Sequence, residues 1–357
     1  MEDRISRVLK NMKEAGLSQL IVADPKSIRY LTGVYVDPYE RLFALLVKAD
    51  GKHVLFLNNL FTISETDIEK VWYSDTDDSI GMIAEHLDDG RLGIDKVWAA
   101  RFLIPLMERC RNIQVELGSD CVDDCRAIKD DKEIELMKKA SEINDKVVHD
   151  AYEYIKVGMT EKEVAEFINK HFVEEGAEGP SFTTIVSFGA NGADPHHEPD
   201  GTVLKEGDAI VIDQGCYYKG YASDMTRSSI CGEPSDPDYA KVHDLVREAN
   251  EKAESIIKPG VRLCDIDAAA RDMITEAGYG PYFNHRLGHF IGQTDHEKGD
   301  VSSANTDTVK PGMIFSIEPG IYLPGRFGVR VEDLVLVTED GCEILNHEDK
   351  HWKSVGV

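Results

Sequence analysis

Five residues in the C-terminal half of the chain are of types that bind metal ions: Asp213, Asp224, His289, Glu318 and Glu332. Four carboxylates and one imidazole balance the charge of two divalent cations and make buried acids tolerable. Such a set suits a pair of ions about 3.5–4 Å apart with a water or hydroxide between them. Oxygen-rich ligation with one nitrogen favours Mn(II) or Co(II) over a thiolate zinc site, with Zn(II) as the alternative.

The local sequence supports the grouping unevenly. In IDQGCYYKGYASD a two-residue turn at Lys219-Gly220 pairs positions summing to 439, so Asp224 faces Gly215 and lies on the face that carries Asp213. The two acids are then diagonal neighbours, roughly 7–8 Å apart at the backbone. The plainer reading, solvated acids beside a turn, is weakened because Asp213 follows the apolar run AIVI. Glu318 ends an apolar strand before Pro-Gly. Period-two alternation in a strand VRVEDLVLV puts Arg330 and Glu332 on one face. Taken alone, a simple Arg330/Glu332 ion pair on a half-exposed strand is the better reading there.

His285 and His289 are four apart, but no Glu follows the first. Gly288, Phe290, Ile291 and Gly292 favour strand over helix, so this is not a zincin pair. A lone histidine in an apolar stretch is usually structural; three between His285 and His296 are harder to dismiss.

The elements that position these groups fall into two domains, which we place at 1–125 and 126–357. The first alternates helix and strand: a helix near 2–16 with Ile5, Val8, Leu9 and Met12 on one face, the strand QLIVAD, and RLFALLVKAD paired with KHVLFL through Asp50-Gly51. A helix in DDSIGMIAEHLDD and strands at RLGID and NIQVEL follow, giving a small α/β domain. The long helical pattern DDKEIELMKKASEINDKVVHDAYEYIK opens the second domain. The next helix carries a capping box at Thr160 and Glu163. Strands and turns from 208, helices near 236–257 and 264–277, and further strands make this domain α+β with a largely antiparallel sheet.

Composition narrows the partners. The 357 residues hold 40 Lys and Arg against 66 Asp and Glu, a formal charge of −26, which repels nucleic acid and anionic membranes. No apolar run approaches eighteen residues. Seven scattered cysteines, with no Cys/His partner pair for Cys121 and Cys125, read as reduced thiols in a cytoplasmic protein.

The ordered set Asp213, Asp224, His289, Glu318, Glu332 resembles the pita-bread family of methionine aminopeptidase, aminopeptidase P, prolidase and creatinase, over roughly 131–346. The small N-terminal domain fits the prolidase and aminopeptidase P branch. The resemblance implies a pita-bread catalytic domain behind a smaller creatinase-like one. It implies that Asp213 chelates one metal, that His289 and Glu318 chelate the other, and that Asp224 and Glu332 bridge both. A bridging hydroxide would attack the scissile carbonyl while Glu318 shuttles the proton. His196, in NGADPHHEPDG, matches the family's substrate-contacting histidine, with His197 as a surface neighbour. His285 and His296 match its other active-site histidines, and Arg330 an arginine supporting Glu332 and the substrate side.

The resemblance further implies a homodimer acting on short proline-containing peptides, foremost an Xaa-Pro dipeptidase. One departure bears on this. Where many prolidases have Pro-Arg after His-Glu-x, this chain reads Lys298-Gly299-Asp300, and an acid cannot hold a dipeptide's carboxylate. Lys298 would have to substitute, or the enzyme is an Xaa-Pro aminopeptidase acting on longer peptides. A creatinase-like hydrolase, a methionine aminopeptidase and a non-catalytic binding module are the remaining readings, the last opposed by the complete ligand set.

Overall fold

The structure is a computed structural model describing residues 4–357. It divides into two compact units, Met1–Arg126 and Ala127–Val357.

The first unit is built on a six-stranded mixed sheet in the order Glu69–Tyr73, Val54–Asn58, Ala44–Lys48, Gln19–Val22, Gly90–Ile94, Ile113–Leu117. The pair joined at Asp50-Gly51 is antiparallel, as the sequence pattern predicts. Strand periodicity explains why both faces are covered. Leu45 and Val47 pack with Val8 and Met12 of helix Arg4–Ala15, whereas Ala44 and Leu46 pack with Ile83 and Leu106 of helices Ser79–His86 and Ala100–Arg109. Ile5 and Leu9 join the first cluster partly buried. Residues 2 and 3 of the expected first helix lie outside the described residues.

In the second unit, helices Asp131–Tyr154 and Glu161–Glu174 pack on the sheet containing Ile185–Phe188, Ala209–Gln214 and Met225–Cys231. Both helices start at complete capping boxes, Asp130/Glu133 and Thr160/Glu163. A second pair, Tyr239–Glu254 and Leu263–Glu276, packs on the antiparallel sheet Glu297–Val301, Gly288–Phe290, Ile314–Ile317, Asp333–Val337, Cys342–Ile344. A separate ribbon pairs Gly320–Leu323 with Phe327–Arg330.

The predicted hairpin register is observed. Tyr218 pairs with Tyr221 and Tyr217 with Ala222, and the same sum of 439 continues into Gln214–Met225 and Asp213–Thr226. Lys219 and Gly220 both have positive φ, 47° and 76°, the conformation of a two-residue turn that follows strand twist. Gly215 is required opposite Asp224, because a Cβ there would run into the Ser223 carbonyl.

The expectation of one strand through VRVEDLVLV is corrected. Phe327–Arg330 ends in the ribbon, and Asp333–Val337 begins in the five-stranded sheet. Between them, the Val331 carbonyl accepts from Asn250 Nδ2 at 3.4 Å and the Glu332 carbonyl from Arg227 Nη1 at 2.6 Å. Side-chain donors there take the place of a strand ladder.

Candidate metal centre and active-site cleft

Alternation along Ala209–Gln214 decides where Asp213 points. Ile210 and Ile212 bury in the cluster beneath helix Asp131–Tyr154, so Asp213 faces the other way, into a cleft of about 480 Å³. The hairpin delivers Asp224 to the same cleft. Gly288–Phe290 supplies His289, and only glycine fits before it because a Cβ at Gly288 would meet the Ser316 carbonyl. Glu318 and Glu332 each follow a strand that has just ended, and both line the cleft.

All five predicted ligands therefore converge. Asp224, His289 and Glu332 are buried and offer ligand atoms within 4.8 Å of one another. His289 Nε2 lies 3.4 Å from Asp224 Oδ2 and 3.5 Å from Glu318 Oε1. Glu332 Oε2 accepts from Thr226 Oγ1 at 2.7 Å, and Glu318 Oε1 from Ser316 Oγ at 3.1 Å. Asp213 Oδ2 accepts from Arg330 Nη2 at 2.5 Å. Both Arg330 and Glu332 are buried, which rules out the half-exposed surface pair that the strand alone suggested.

The electrostatics favour a further positive charge among these acids. Burial, reinforced by repulsion from Glu332, Asp213 and Glu318, pushes the Asp224 carboxyl well above its ordinary range. Burial and the neighbouring acids do the same to Glu332. Burial moves Glu318 up to about 7, opposed by Arg330. Burial and His296 push His289 down to about 3, so its ring is neutral at physiological pH. His289 Nδ1 faces the Phe290 carbonyl at 3.3 Å and so carries the proton. The Nε2 lone pair then faces Asp224 Oδ2 and Glu318 Oε1, a nitrogen and oxygen donor set of the kind that holds a cation. Asp213 Oδ1 and Asp224 Oδ1 are also buried without hydrogen-bond partners. Nitrogen and oxygen donors of this kind fit Mn(II)-class ions.

The remaining predicted residues sit around the cleft in different ways. The His296 ring stacks on His289 at 3.8 Å between centroids, and its Nδ1 is 3.2 Å from Asp295 Oδ2. His196 is exposed on the cleft wall, its backbone N–H donating to Asp194 Oδ1 at 3.0 Å. His285 lines the cleft with both ring nitrogens occupied: Nδ1 donates to the Arg286 carbonyl at 2.7 Å, and Nε2 meets Tyr322 Oη at 2.9 Å. Burial and Arg330 push His285 down to about 3, so Nε2 accepts the Tyr322 proton. Tyr322 Oη in turn accepts from Arg330 Nη1 at 2.8 Å.

His197 is not a mere surface neighbour. Its Nε2 is 2.8 Å from Oε2 of Glu161, which is fully buried and also accepts from the N–H groups of Phe188 and Asp200 and from Asn191 Nδ2. This one carboxylate ties down both ends of the loop that carries His196. Sequence reasoning missed Glu161, Tyr322, Thr226 and Arg286. Tyr322 had a signal: it shares a ribbon face with Gly320, the partner of Arg330. Asp300 does not line the cleft; its Oδ1 accepts from Ser302 Oγ at 2.6 Å.

Residues 135–339 match metallopeptidase family M24, and residues 4–128 match the creatinase/prolidase N-terminal domain. The chain belongs to metallopeptidase family M24. It is similar to an uncharacterized peptidase of Staphylococcus aureus (strain MSSA476), with 37% identity over 97% of this chain and 99% of that protein. Among solved structures it resembles a prolidase from Thermococcus sibiricus (34% identity, TM-score 0.93, covering 99% of this chain and all of that one). It also resembles an X-Pro aminopeptidase from Thermotoga maritima (32% identity, TM-score 0.84, covering 97% of this chain and all of that one). The M24 assignment agrees with the α+β pita-bread fold expected from the sequence. M24 enzymes work with divalent metal ions, and this chain carries the groups to hold them.

Proposed function

We propose that the protein is an Xaa-Pro dipeptidase in which Asp213, Asp224, His289, Glu318 and Glu332 hold two divalent ions, Mn(II) or Co(II), at the cleft floor. The observation that carries this reading is His289 Nε2 aimed at Asp224 Oδ2 and Glu318 Oε1, beside two buried carboxylate oxygens that have no hydrogen-bond partner. When bound, such ions lower the pKa of water to give a nucleophile at neutral pH and polarise the scissile carbonyl.

The chain's own residues do the rest. Glu318, a cleft-lining carboxylate that accepts from Ser316 Oγ, is placed to shuttle a proton to the prolyl nitrogen that leaves. Arg330 fixes Asp213 and Tyr322, and His285 acts through Tyr322. His196 and His296, both exposed at the cleft, are left to meet the substrate. Phe182, Ile185 and Pro195 provide an apolar wall for a pyrrolidine ring. Substrate chemistry is supported by the likeness to the Thermococcus sibiricus prolidase. Cys110, Cys216, Cys231, Cys264 and Cys342 are free thiols, in keeping with a reducing cytoplasm. The homodimer rests on family resemblance.

The free carboxylate of a dipeptide needs a cation. Lys298 is exposed and does not line the cleft, whereas Arg286 does. We assign carboxylate binding to Arg286, so the Asp300 departure no longer weighs against a dipeptidase. Xaa-Pro aminopeptidase activity is the second reading, favoured by the likeness to the Thermotoga maritima enzyme. The deciding assay compares an Xaa-Pro dipeptide with a tripeptide carrying proline second, using metal-depleted protein with and without Mn(II) or Co(II). Metal-dependent cleavage of the dipeptide supports the proposal. Preference for the tripeptide makes the protein an aminopeptidase, and cleavage of neither sinks both.

A further inference from the structure

Behind the two glutamates lies a buried polar network that the proposed chemistry does not use. Asn250, fully buried on helix Tyr239–Glu254, donates through Nδ2 to the Ile317 carbonyl at 2.8 Å and to the Val331 carbonyl at 3.4 Å. Those carbonyls belong to the residues immediately before Glu318 and Glu332. One amide group thus spans both glutamate-bearing segments at the point where each strand has ended.

The amide is itself held. Lys350 Nζ donates to Asn250 Oδ1 at 2.7 Å, fixing which end of the side chain carries the donors, and to both oxygens of Glu254 at 2.8 and 2.6 Å. Lys350 also pairs with Asp333 Oδ2 at 2.7 Å, and Arg227 with Asp333 Oδ1 at 2.7 Å. Arg227 Nη1 then donates to the Glu332 carbonyl, so the network grips the Glu332 segment at two successive carbonyls. Burial, with repulsion from Asp333, pushes Glu254 in this network up to about 8.

We propose that Asn250 is a positioning residue for the metal centre, setting the separation of Glu318 and Glu332 through their backbones without touching either carboxylate. The inference rests on the metal-site reading above. A neutral amide does this better than a charged group, because it satisfies two carbonyls without adding to the field at the acids. Groups that orient metal ligands from behind commonly matter about 10–100-fold in metal affinity when altered.

The test is calorimetric titration of metal-depleted protein with Mn(II), comparing wild type, Asn250→Leu and Tyr239→Phe. Tyr239 sits on the same helix and donates to the Ser229 carbonyl at 2.6 Å, so its variant reports general loosening of the helix. Asn250→Leu is expected to bind Mn(II) about 10–100-fold more weakly, with Tyr239→Phe unchanged. Should the leucine variant fail to fold, Asn250→Ala removes the donors without adding a charge, and the same loss is expected. Wild-type affinity in either folded Asn250 variant, or an equal loss in Tyr239→Phe, overturns the assignment. Wild-type protein that takes up no Mn(II) removes the metal reading itself, a failure seen before any variant is compared.

Discussion

Arg330 Nη2 lies 2.5 Å from Asp213 Oδ2, and both side chains are buried. The same guanidinium donates from Nε to Thr226 Oγ1 at 3.0 Å, and Thr226 Oγ1 donates to Glu332. A single arginine therefore orients Asp213 on a strand and Glu332 in the break between two others. Lysine cannot reproduce that fork. We expect Arg330→Lys to lower kcat/KM about 100-fold, with Mn(II) affinity falling as well. Steady-state kinetics and Mn(II) titration of a folded variant check this; loss confined to KM would show that Arg330 serves only the substrate.

Removing metal should both silence and destabilise the protein. Without a cation, the burial and mutual repulsion of Asp224 and Glu332 oppose folding. Thermal unfolding of chelated protein should shift upward as Mn(II) is added, gaining about 2.7 kcal/mol at a hundred times Kd. A melting temperature indifferent to Mn(II) would contradict the assigned ligands.

For substrate choice, Arg286→Ala should raise KM for an Xaa-Pro dipeptide about tenfold or more and change KM for a longer peptide less. A lost charge-assisted hydrogen bond has that scale. Lys298→Ala, altering an exposed residue that does not line the cleft, serves as the control. The assignment fails if the lysine variant shows the dipeptide defect and the arginine variant does not.

His243 gives the fold a pH dependence of its own. It is fully buried, Nε2 facing the Ser228 carbonyl at 3.2 Å, and burial holds it down at about 4. Its folded value is below its unfolded one, so the contribution is complete above about 6.5 and is lost as pH falls toward 4. The full loss is on the order of 3 kcal/mol. Urea unfolding of wild type and His243→Leu at pH 7.5 and 4.5 should show a steeper decline in the wild type. Parallel declines would rule the histidine out.

What could be read from the sequence depended on how local the determining interaction is. The register that joins Asp213 to Asp224 was legible because a two-residue turn and a period of two are enough to set it. The break between Arg330 and Glu332 was not, since it depends on Asn250 and Arg227, which are far away in sequence and satisfy carbonyls that a strand would have paired. Glu161 was hidden for the same reason: its partner His197 lies 36 residues on. Helix Ala100–Arg109 carries Pro105 within it, a residue that local propensity counts against helix.

The Lys219-Gly220 turn also limits how this enzyme can change length. Side chains alternate along the arms of the hairpin, so parity is a heritable property of each arm between the two aspartates. Inserting or deleting one residue within a paired arm, between Gly215 and Tyr218 or between Tyr221 and Asp224, would turn Asp224 away from the cleft while leaving composition and hydrophobic pattern almost untouched. Changes of two residues in an arm preserve its direction. Viable length variants of these arms should therefore differ by even numbers, whereas the turn itself can lengthen by one.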